Sequence, residues 1–154
     1  MKNTETKSSA YKSLSVFSIY LAAIIALIGV IIHIAAIFGG TSWYIYFGAP
    51  PSVVESARNG TWLAPVSTLI ITILMAICAA YAFSALGVIR RLPFLRTGLA
   101  GMAIICLLRS LVLWPLMINH PELRNTAEVV GSIVWGFAGL GFMSGWRLVQ
   151  LNSR

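Results

Sequence analysis

Apolar residues are concentrated in four long stretches of this chain, and short segments rich in polar or turn-forming residues separate them. The stretches are Leu14–Phe38, Leu63–Ile89, Leu99–Ile118 and Ala127–Val149. Each contains the roughly 20 residues that a helix rising ~1.5 Å per residue needs to cross a hydrocarbon layer ~30 Å thick. The pattern predicts an all-α fold, an integral membrane four-helix bundle that forms one domain over residues 14–149.

The polar segments predict how the spans are connected. Residues 1–13 are rich in Ser, Thr and Lys, so we expect a flexible cytoplasmic tail, and residues 150–154 form a second tail. Ser52 and Glu55 have capping-box spacing, which predicts a short outer surface helix over Val53–Arg58 between the first two spans. Pro93 interrupts the short link after the second span, and so short a link predicts that spans two and three form an antiparallel hairpin.

Basic residues lie mostly on one side of the predicted spans. Lys and Arg close to a span are retained in the cytoplasm during membrane insertion. The two tails and the middle link contain eight of them, and the two remaining connections contain two: Lys2, Lys7, Lys12, Arg90, Arg91, Arg96, Arg147 and Arg154 against Arg58 and Arg124. This bias predicts a multi-pass protein with both termini in the cytoplasm and with residues 39–62 and 119–125 outside.

The composition excludes a water-soluble domain. Hydrophobic residues make up 58% of the chain and charged residues 10%, whereas soluble domains contain about 25% charged residues. The formal net charge of +7 is explained by the topology and by attraction to anionic membrane lipid. Nucleic-acid binding is not expected, because the basic residues are scattered and no recognition fold is indicated.

Arg109 is a charged residue inside the third predicted span. It lies about eight residues below the outer edge of the span, or ~12 Å into the hydrocarbon. A charge at that depth costs ~2.5 to 3.5 kcal/mol on insertion scales and normally has a partner. Glu128, near the start of the fourth span, is the carboxylate within reach, and Trp135 comes out at a similar depth with a ring face to offer.

Two interpretations of Arg109 remain open at this point. The pair with Glu128 can be structural and fix the register of two helices. Alternatively, five residues build an outward-facing pocket for a lipid, a small anion or a partner subunit: Arg109, Glu128, Trp135, His33 and Tyr44. The guanidinium of Arg109 suits such ligands because it binds phosphate and carboxylate groups alike. The second interpretation gives our leading functional hypothesis, a non-enzymatic membrane module.

Small residues in the fourth span support a different hypothesis. Gly141 and Gly145 have G-x-x-x-G spacing, and Ser132 and Gly136 make a second small-x-x-x-small step. Such steps let helix backbones approach closely in lipid, either within one chain or between copies. The alternative function is therefore a small transporter or channel that works as a homo-oligomer, with this face at the subunit contact.

The remaining polar residues support weaker hypotheses. His33 and His120 lie toward the same membrane face, and imidazole is a common haem ligand, so a haem-binding redox protein is the third hypothesis. Tyr81 and Ser84 in the second span either line a path or, the interpretation that we favour, form hydrogen bonds with nearby backbone. No catalytic triad, zinc motif or phosphate-binding loop is present in a usable context, so we predict no catalytic residue, no metal site and no cofactor.

Four short motifs resemble those of a group of small four-span proteins of bacterial inner membranes. They are FGAP at 47–50, YAFSALG at 81–87, LPFLR at 92–96 and LLR at 107–109. The resemblance implies a bacterial inner-membrane location and no established activity. It is not to the small four-helix multidrug exporters, which have a glutamate embedded in their first helix, whereas the first span here has none.

Overall fold

The computed structural model describes the backbone of residues 2–119 and 126–151, and their side chains except those of residues 2–11 and 127. Within these ranges the chain forms helices and no strand, which confirms the all-α prediction. The helices are α1 (Lys2–Gly39), α2 (Thr41–Tyr46), α3 (Pro51–Arg58), α4 (Leu63–Ala85), α5 (Leu95–Asn119) and α6 (Thr126–Leu151). Predictions for residues 120–125, including His120 as a haem ligand and the outer turn, and for residues 152–154 of the second tail lie outside the described residues.

The long helices α1, α4, α5 and α6 are each long and apolar enough to cross a membrane. Their candidate spans are Lys12–Gly39, Leu63–Ala85, Leu95–Asn119 and Glu128–Leu151. The four predicted apolar spans are therefore present as helices and suggest a multi-pass membrane protein. We call the end of the bundle that bears α2 and α3 the cap end, and the end that bears the α4–α5 connection, residues 86–94, the link end.

Two helix boundaries differ from the predicted ones for identifiable reasons. Helix α1 begins at Lys2 rather than Leu14, because a helix that is already nucleated gains one hydrogen bond for each residue added. Helix α4 ends at Ala85 rather than Ile89. The Ser84 hydroxyl donates to the carbonyl of Arg90 and accepts from the amide of Leu92, so the chain turns back on itself there.

The helices pack in the order α4, α1, α6, α5. Helix α1 packs along α4 on one side and along α6 on the other, and α5 packs along α6. Helices α4 and α5, although joined by the short link, contact each other much less than they contact α1 and α6. The two helices of the predicted hairpin, α4 and α5, thus follow each other across the short link but pack only lightly on one another.

Small residues explain why α1 occupies the middle of the row. Most buried positions on α1 recur every three, four or seven residues, the spacing of one helix face. The buried residues are Ser15, Ile19, Ala22, Ala23, Ala26, Gly29 and Ala36. A Cβ atom on Gly29 would collide with the end of the Met75 side chain of α4, so the glycine makes room for that side chain between the two helices.

The principal core lies toward the link end of the bundle. Its largest fully buried side chains are Ile19 of α1, Leu99 of α5 and Phe142 of α6. A smaller cluster at the cap end joins Ala36, Tyr44 and Ala64, with residues of α3 packed against it. The cap-end half of α5 therefore lies outside the principal core, and this is where Arg109 is found.

Two short helices, rather than the single one predicted, form the cap end. Helix α3 begins at Pro51, whose ring is preorganised for the first helical position, and no side chain caps it. The predicted capping box of Ser52 and Glu55 is therefore wrong. Instead, the Ser56 hydroxyl accepts from the amide of Ala64 in the first turn of α4 at 2.9 Å and lies 2.7 Å from the Thr61 hydroxyl.

Candidate functional site

Arg109 and Glu128 form an ion pair between α5 and α6. Nη2 of Arg109 donates to Oε2 of Glu128 at 3.0 Å, so the predicted contact is present. The Arg109 side chain is 47% exposed and the Glu128 side chain 25% exposed. The pair thus lies at an open surface of the bundle, partly accessible and not sealed inside it.

The spacing of buried residues explains how the two side chains meet. On α6, Glu128, Trp135 and Phe142 follow each other at seven-residue intervals and so lie on one helix face. Phe142 is fully buried, and Glu128 extends the same face to the cap end. On α5, Arg109 lies three residues after Cys106 and four before Leu113, both buried, which places it at the margin of the face that packs on α6.

Contacts toward the link end from the ion pair fix α5 and α6 against each other. The Ser132 hydroxyl donates to the carbonyl of Ser110 at 2.8 Å. A Cβ atom on Gly136 would lie 3.0 Å from the Ser110 hydroxyl, and one on Gly139 would lie 2.8 Å from Leu107. Because the helices cannot slide without breaking these contacts, the height at which Arg109 meets Glu128 is set by the small residues of α6.

The other two predicted packing glycines face the opposite neighbour. A Cβ atom on Gly141 would meet the backbone of Ser18, and one on Gly145 would meet the side chain of Ile19, both on α1. The small positions of α6 are thus used on two sides within one chain. The face proposed for a subunit contact in the oligomer hypothesis is covered by α1 and α5 of the same molecule.

Arg109 retains hydrogen-bonding capacity beyond this contact. A guanidinium has five N–H donors, and among the described residues Arg109 uses one of them, on Glu128. The flanking side chains Ile105, Leu108 and Val112 are exposed and apolar. The site is thus a half-exposed cation that is anchored at one edge by a carboxylate and surrounded by apolar surface. It is able to donate hydrogen bonds to the oxygens of an anion.

His33 forms a hydrogen bond within its own helix, α1. Its Nδ1 lies 2.7 Å from the carbonyl oxygen of Gly29, which can only accept, so Nδ1 carries the proton and donates. The ring lies on the small-residue face of α1, and no described contact joins it to Arg109 or Glu128. The described part of the chain contains no group of three metal-binding side chains.

Trp135 and Tyr44 lie in two different clusters. Trp135 packs against the principal core, and the ring contacts that the structure describes are Trp43 with Phe47 and Tyr46 with Phe47, so the predicted stacking on Arg109 is not among them. Tyr44 is buried in the cap-end cluster, 3.3 Å from the Thr68 hydroxyl. The Thr68 hydroxyl donates to the Ala64 carbonyl at 2.7 Å and, in a longer contact, to the Tyr44 hydroxyl.

Of the five predicted pocket residues, the structure therefore brings together Arg109 and Glu128. Two cavities lie elsewhere. One of about 510 Å³ at the cap end is lined in part by Glu55 and Arg58, and one of about 280 Å³ at the link end is lined in part by Arg91 and Arg96. Sequence reasoning missed the second because it took these arginines as a topology signal alone; the signal available was an aromatic residue, Phe94, set between them.

Tyr81 and Ser84 of α4 form hydrogen bonds with nearby backbone, which is the interpretation that the sequence analysis favoured. Tyr81 donates to the carbonyl of Pro93 at 3.0 Å, and Ser84 bonds to the link backbone as described above.

Comparison of the chain with protein-family models, with curated proteins and with solved structures gives no match. The functional evidence is therefore the geometry of the chain itself.

Proposed function

We propose that this protein is a non-enzymatic, multi-pass module of a bacterial inner membrane, with both termini in the cytoplasm. At Arg109 it binds an anionic group that approaches from the outer side. The group is the phosphate of a lipid headgroup, a small anion or the carboxylate of a partner subunit. All three present oxygens that a guanidinium recognises by paired hydrogen bonds.

One observation carries the proposal: a half-exposed guanidinium within an apolar helix, with one described hydrogen bond. Arg109 lies ten residues before the end of α5, or ~15 Å along the helix axis. Donors left without acceptors in a hydrocarbon environment are costly, and intramembrane arginines normally face a partner or a watery cavity. An anionic ligand supplies acceptors for the donors that the described residues leave unused.

Glu128 is suited to a positioning role. It lies in the first turn of α6, where the helix dipole favours a negative charge. By accepting one hydrogen bond it holds the guanidinium at the edge of the α5–α6 contact and leaves the other side of the fork accessible. The ion pair also lowers the cost of placing Arg109 in the span.

The distribution of basic side chains supports the proposed orientation. Lys12, Arg90, Arg91, Arg96 and Arg147 belong to the link end of the bundle, where α4 and α6 end and α5 begins. Arg58 lies at the cap end, on α3. Under the positive-inside rule the link end is cytoplasmic, so the Arg109 site opens toward the outer side.

The proposal is tested by native mass spectrometry of the full chain, purified in mild detergent and supplied with phosphatidylglycerol. We expect Arg109→Ala to carry one phosphatidylglycerol adduct fewer than the wild type, because the guanidinium provides the hydrogen bonds that hold it. Arg109→Lys should retain it more weakly, since an ammonium keeps the charge but not the planar fork.

Arg58→Ala is the matched control, since it removes the same charge from the same end of the bundle. It should keep the adduct of the wild type. Circular dichroism establishes that each variant is folded. Identical adducts on the wild type and on folded Arg109→Ala would exclude an anion site at this residue.

A further inference from the structure

A cavity of about 280 Å³ lies at the link end, lined by residues of the α4–α5 connection, α5 and α6. Its lining combines polar and apolar groups: Arg91, Leu92, Phe94, Leu95, Arg96, Thr97 and Val149. Sites that enclose a drug-sized ligand measure ~300 to 1,000 Å³. This cavity is slightly smaller, so it suits a headgroup and not a whole lipid or a large solute.

The charged groups of the cavity are available to a ligand. Arg91 and Arg96 are both exposed, and among the side chains that the structure describes neither has an ion pair or a hydrogen bond. Thr97 adds a hydroxyl donor, while Leu95 and Val149 are buried and give the cavity an apolar floor. Two guanidiniums and a hydroxyl over an apolar floor match a phosphate group attached to a glycerol backbone.

The backbone that carries the arginines is held in place before any ligand arrives. Ser84 of α4 bonds to the carbonyl of Arg90 at 3.1 Å and to the amide of Leu92 at 3.0 Å. Tyr81 donates to the carbonyl of Pro93 at 3.0 Å. Because the connection is fixed by two α4 side chains, little conformational entropy is lost when a ligand binds.

Apolar residues beside the arginines favour a lipid over a free phosphate. Phe94 is 82% exposed and Val88 65% exposed. Phe94 also has a φ of 53°, a conformation that bulky residues rarely adopt. Aromatic and aliphatic residues next to basic ones are typical of the membrane interface, where the rings contact lipid and the cations contact headgroups.

We infer that this cavity binds the phosphate of an anionic phospholipid of the inner leaflet. Arg91, Arg96 and Thr97 donate to the phosphate oxygens, and Phe94 contacts the glycerol and upper acyl region. The assignment to the inner leaflet rests on the proposed orientation, whereas binding at this end of the bundle does not depend on the Arg109 site.

The inference is tested with the full chain in vesicles that contain a photoactivatable phosphatidylglycerol, followed by mapping of the crosslinked peptides. We expect crosslinks within residues 88–97, in clear excess over those from the corresponding phosphatidylcholine. Arg91→Ala or Arg96→Ala should lower the yield by about tenfold, the weakening produced by losing one charge-assisted hydrogen bond. Crosslinks in this segment are resolved from any near Arg109, so the two proposals fail separately.

Arg90→Ala is the matched control, because Arg90 belongs to the same connection and carries the same charge but is not part of the cavity lining. Its backbone carbonyl still accepts from Ser84 in the variant. An equal loss for Arg90→Ala and Arg91→Ala would show attraction by net charge alone and overturn the site. Should Arg91→Ala fail to fold, Arg91→Lys keeps the charge, and an undiminished yield there and in Arg96→Lys would contradict recognition by the guanidinium fork.

Inorganic phosphate distinguishes the two sources of the ligand group. At millimolar concentration it should leave the crosslink yield nearly unchanged, because the apolar contact of Phe94 with the lipid contributes to binding. Complete displacement of the lipid by inorganic phosphate would assign the cavity to a soluble anion and overturn the lipid proposal.

Discussion

At the scale of single residues, two residues lie in unfavourable settings, one because of its charge and the other because of its backbone conformation. Arg109 is a cation in an apolar helix, with a carboxylate on one side and an open surface on the other. Phe94 has a positive φ and an exposed ring in the link between α4 and α5. Both features cost stability in the isolated chain, and both lie at the two proposed anion sites.

Substitutions at Phe94 measure how much its positive φ costs in folding stability. Phe94→Gly and Phe94→Ala both remove the ring, but alanine retains the unfavourable left-handed backbone, which costs roughly 1 to 2 kcal/mol for a residue other than glycine. After allowance for the extra freedom of glycine in the unfolded chain, we expect Phe94→Gly to be more stable than Phe94→Ala by about 0.5 to 1 kcal/mol. Denaturant unfolding in mixed micelles measures the difference. An alanine variant as stable as the glycine variant would show that the link relaxes.

At the scale of helices, small residues decide which elements are neighbours. Hydropathy alone gave the four long helices, because length and apolar content are enough to predict a span. It gave no order of packing, since in lipid an apolar surface attracts no particular neighbour. The order follows from Gly29, Gly139 and Gly141, where a side chain would collide with α4, α5 and α1 respectively. Because these glycines face three different helices, their spacing in the sequence did not identify the partners.

Two glycines of α6 form a matched pair for this argument. A Cβ atom on Gly141 would lie 2.5 Å from the Ser18 carbonyl oxygen, whereas one on Gly131 meets nothing within 4 Å. We expect Gly141→Ala to destabilise the bundle by about 1 to 3 kcal/mol, because the backbones of α1 and α6 must move apart. Gly131→Ala should be neutral or stabilise it by up to ~1 kcal/mol through helix propensity. Equal unfolding midpoints for the two variants would contradict the close approach of α1 and α6.

At the scale of the whole molecule, the cap end is attached to the bundle by a polar contact that crosses helix boundaries. The sequence pointed to Ser52 and Glu55 as a local cap, and the structure uses Ser56, which bonds eight residues ahead to the amide of Ala64. Spacing rules describe contacts within one turn, so a cap that comes from a preceding helix was not predictable in this way. The contact between Arg109 and Glu128 was predictable, because a charge within an apolar span requires a partner and the described spans contain only one carboxylate.

The attachment of the cap end predicts a stability difference between two serines of α3. Ser56→Ala removes the acceptor for the Ala64 amide and the partner of Thr61, and we expect a loss of about 1 to 2 kcal/mol, as for other helix caps. Ser52→Ala is the control, since Ser52 is exposed and caps no helix. Thermal unfolding followed by circular dichroism compares the two. A Ser56 variant as stable as the Ser52 variant would mean that water replaces the hydroxyl.

The placement of α1 between α4 and α6 has a consequence for biogenesis. Helix α6 is synthesised after α1, α4 and α5, yet the small-residue surface of α1 is complementary to both α4 and α6. During synthesis there is therefore a stage in which the α6-facing side of α1 is uncovered. Any interruption of translation ahead of α6 leaves that stage permanent, and such fragments should be removed by membrane proteases.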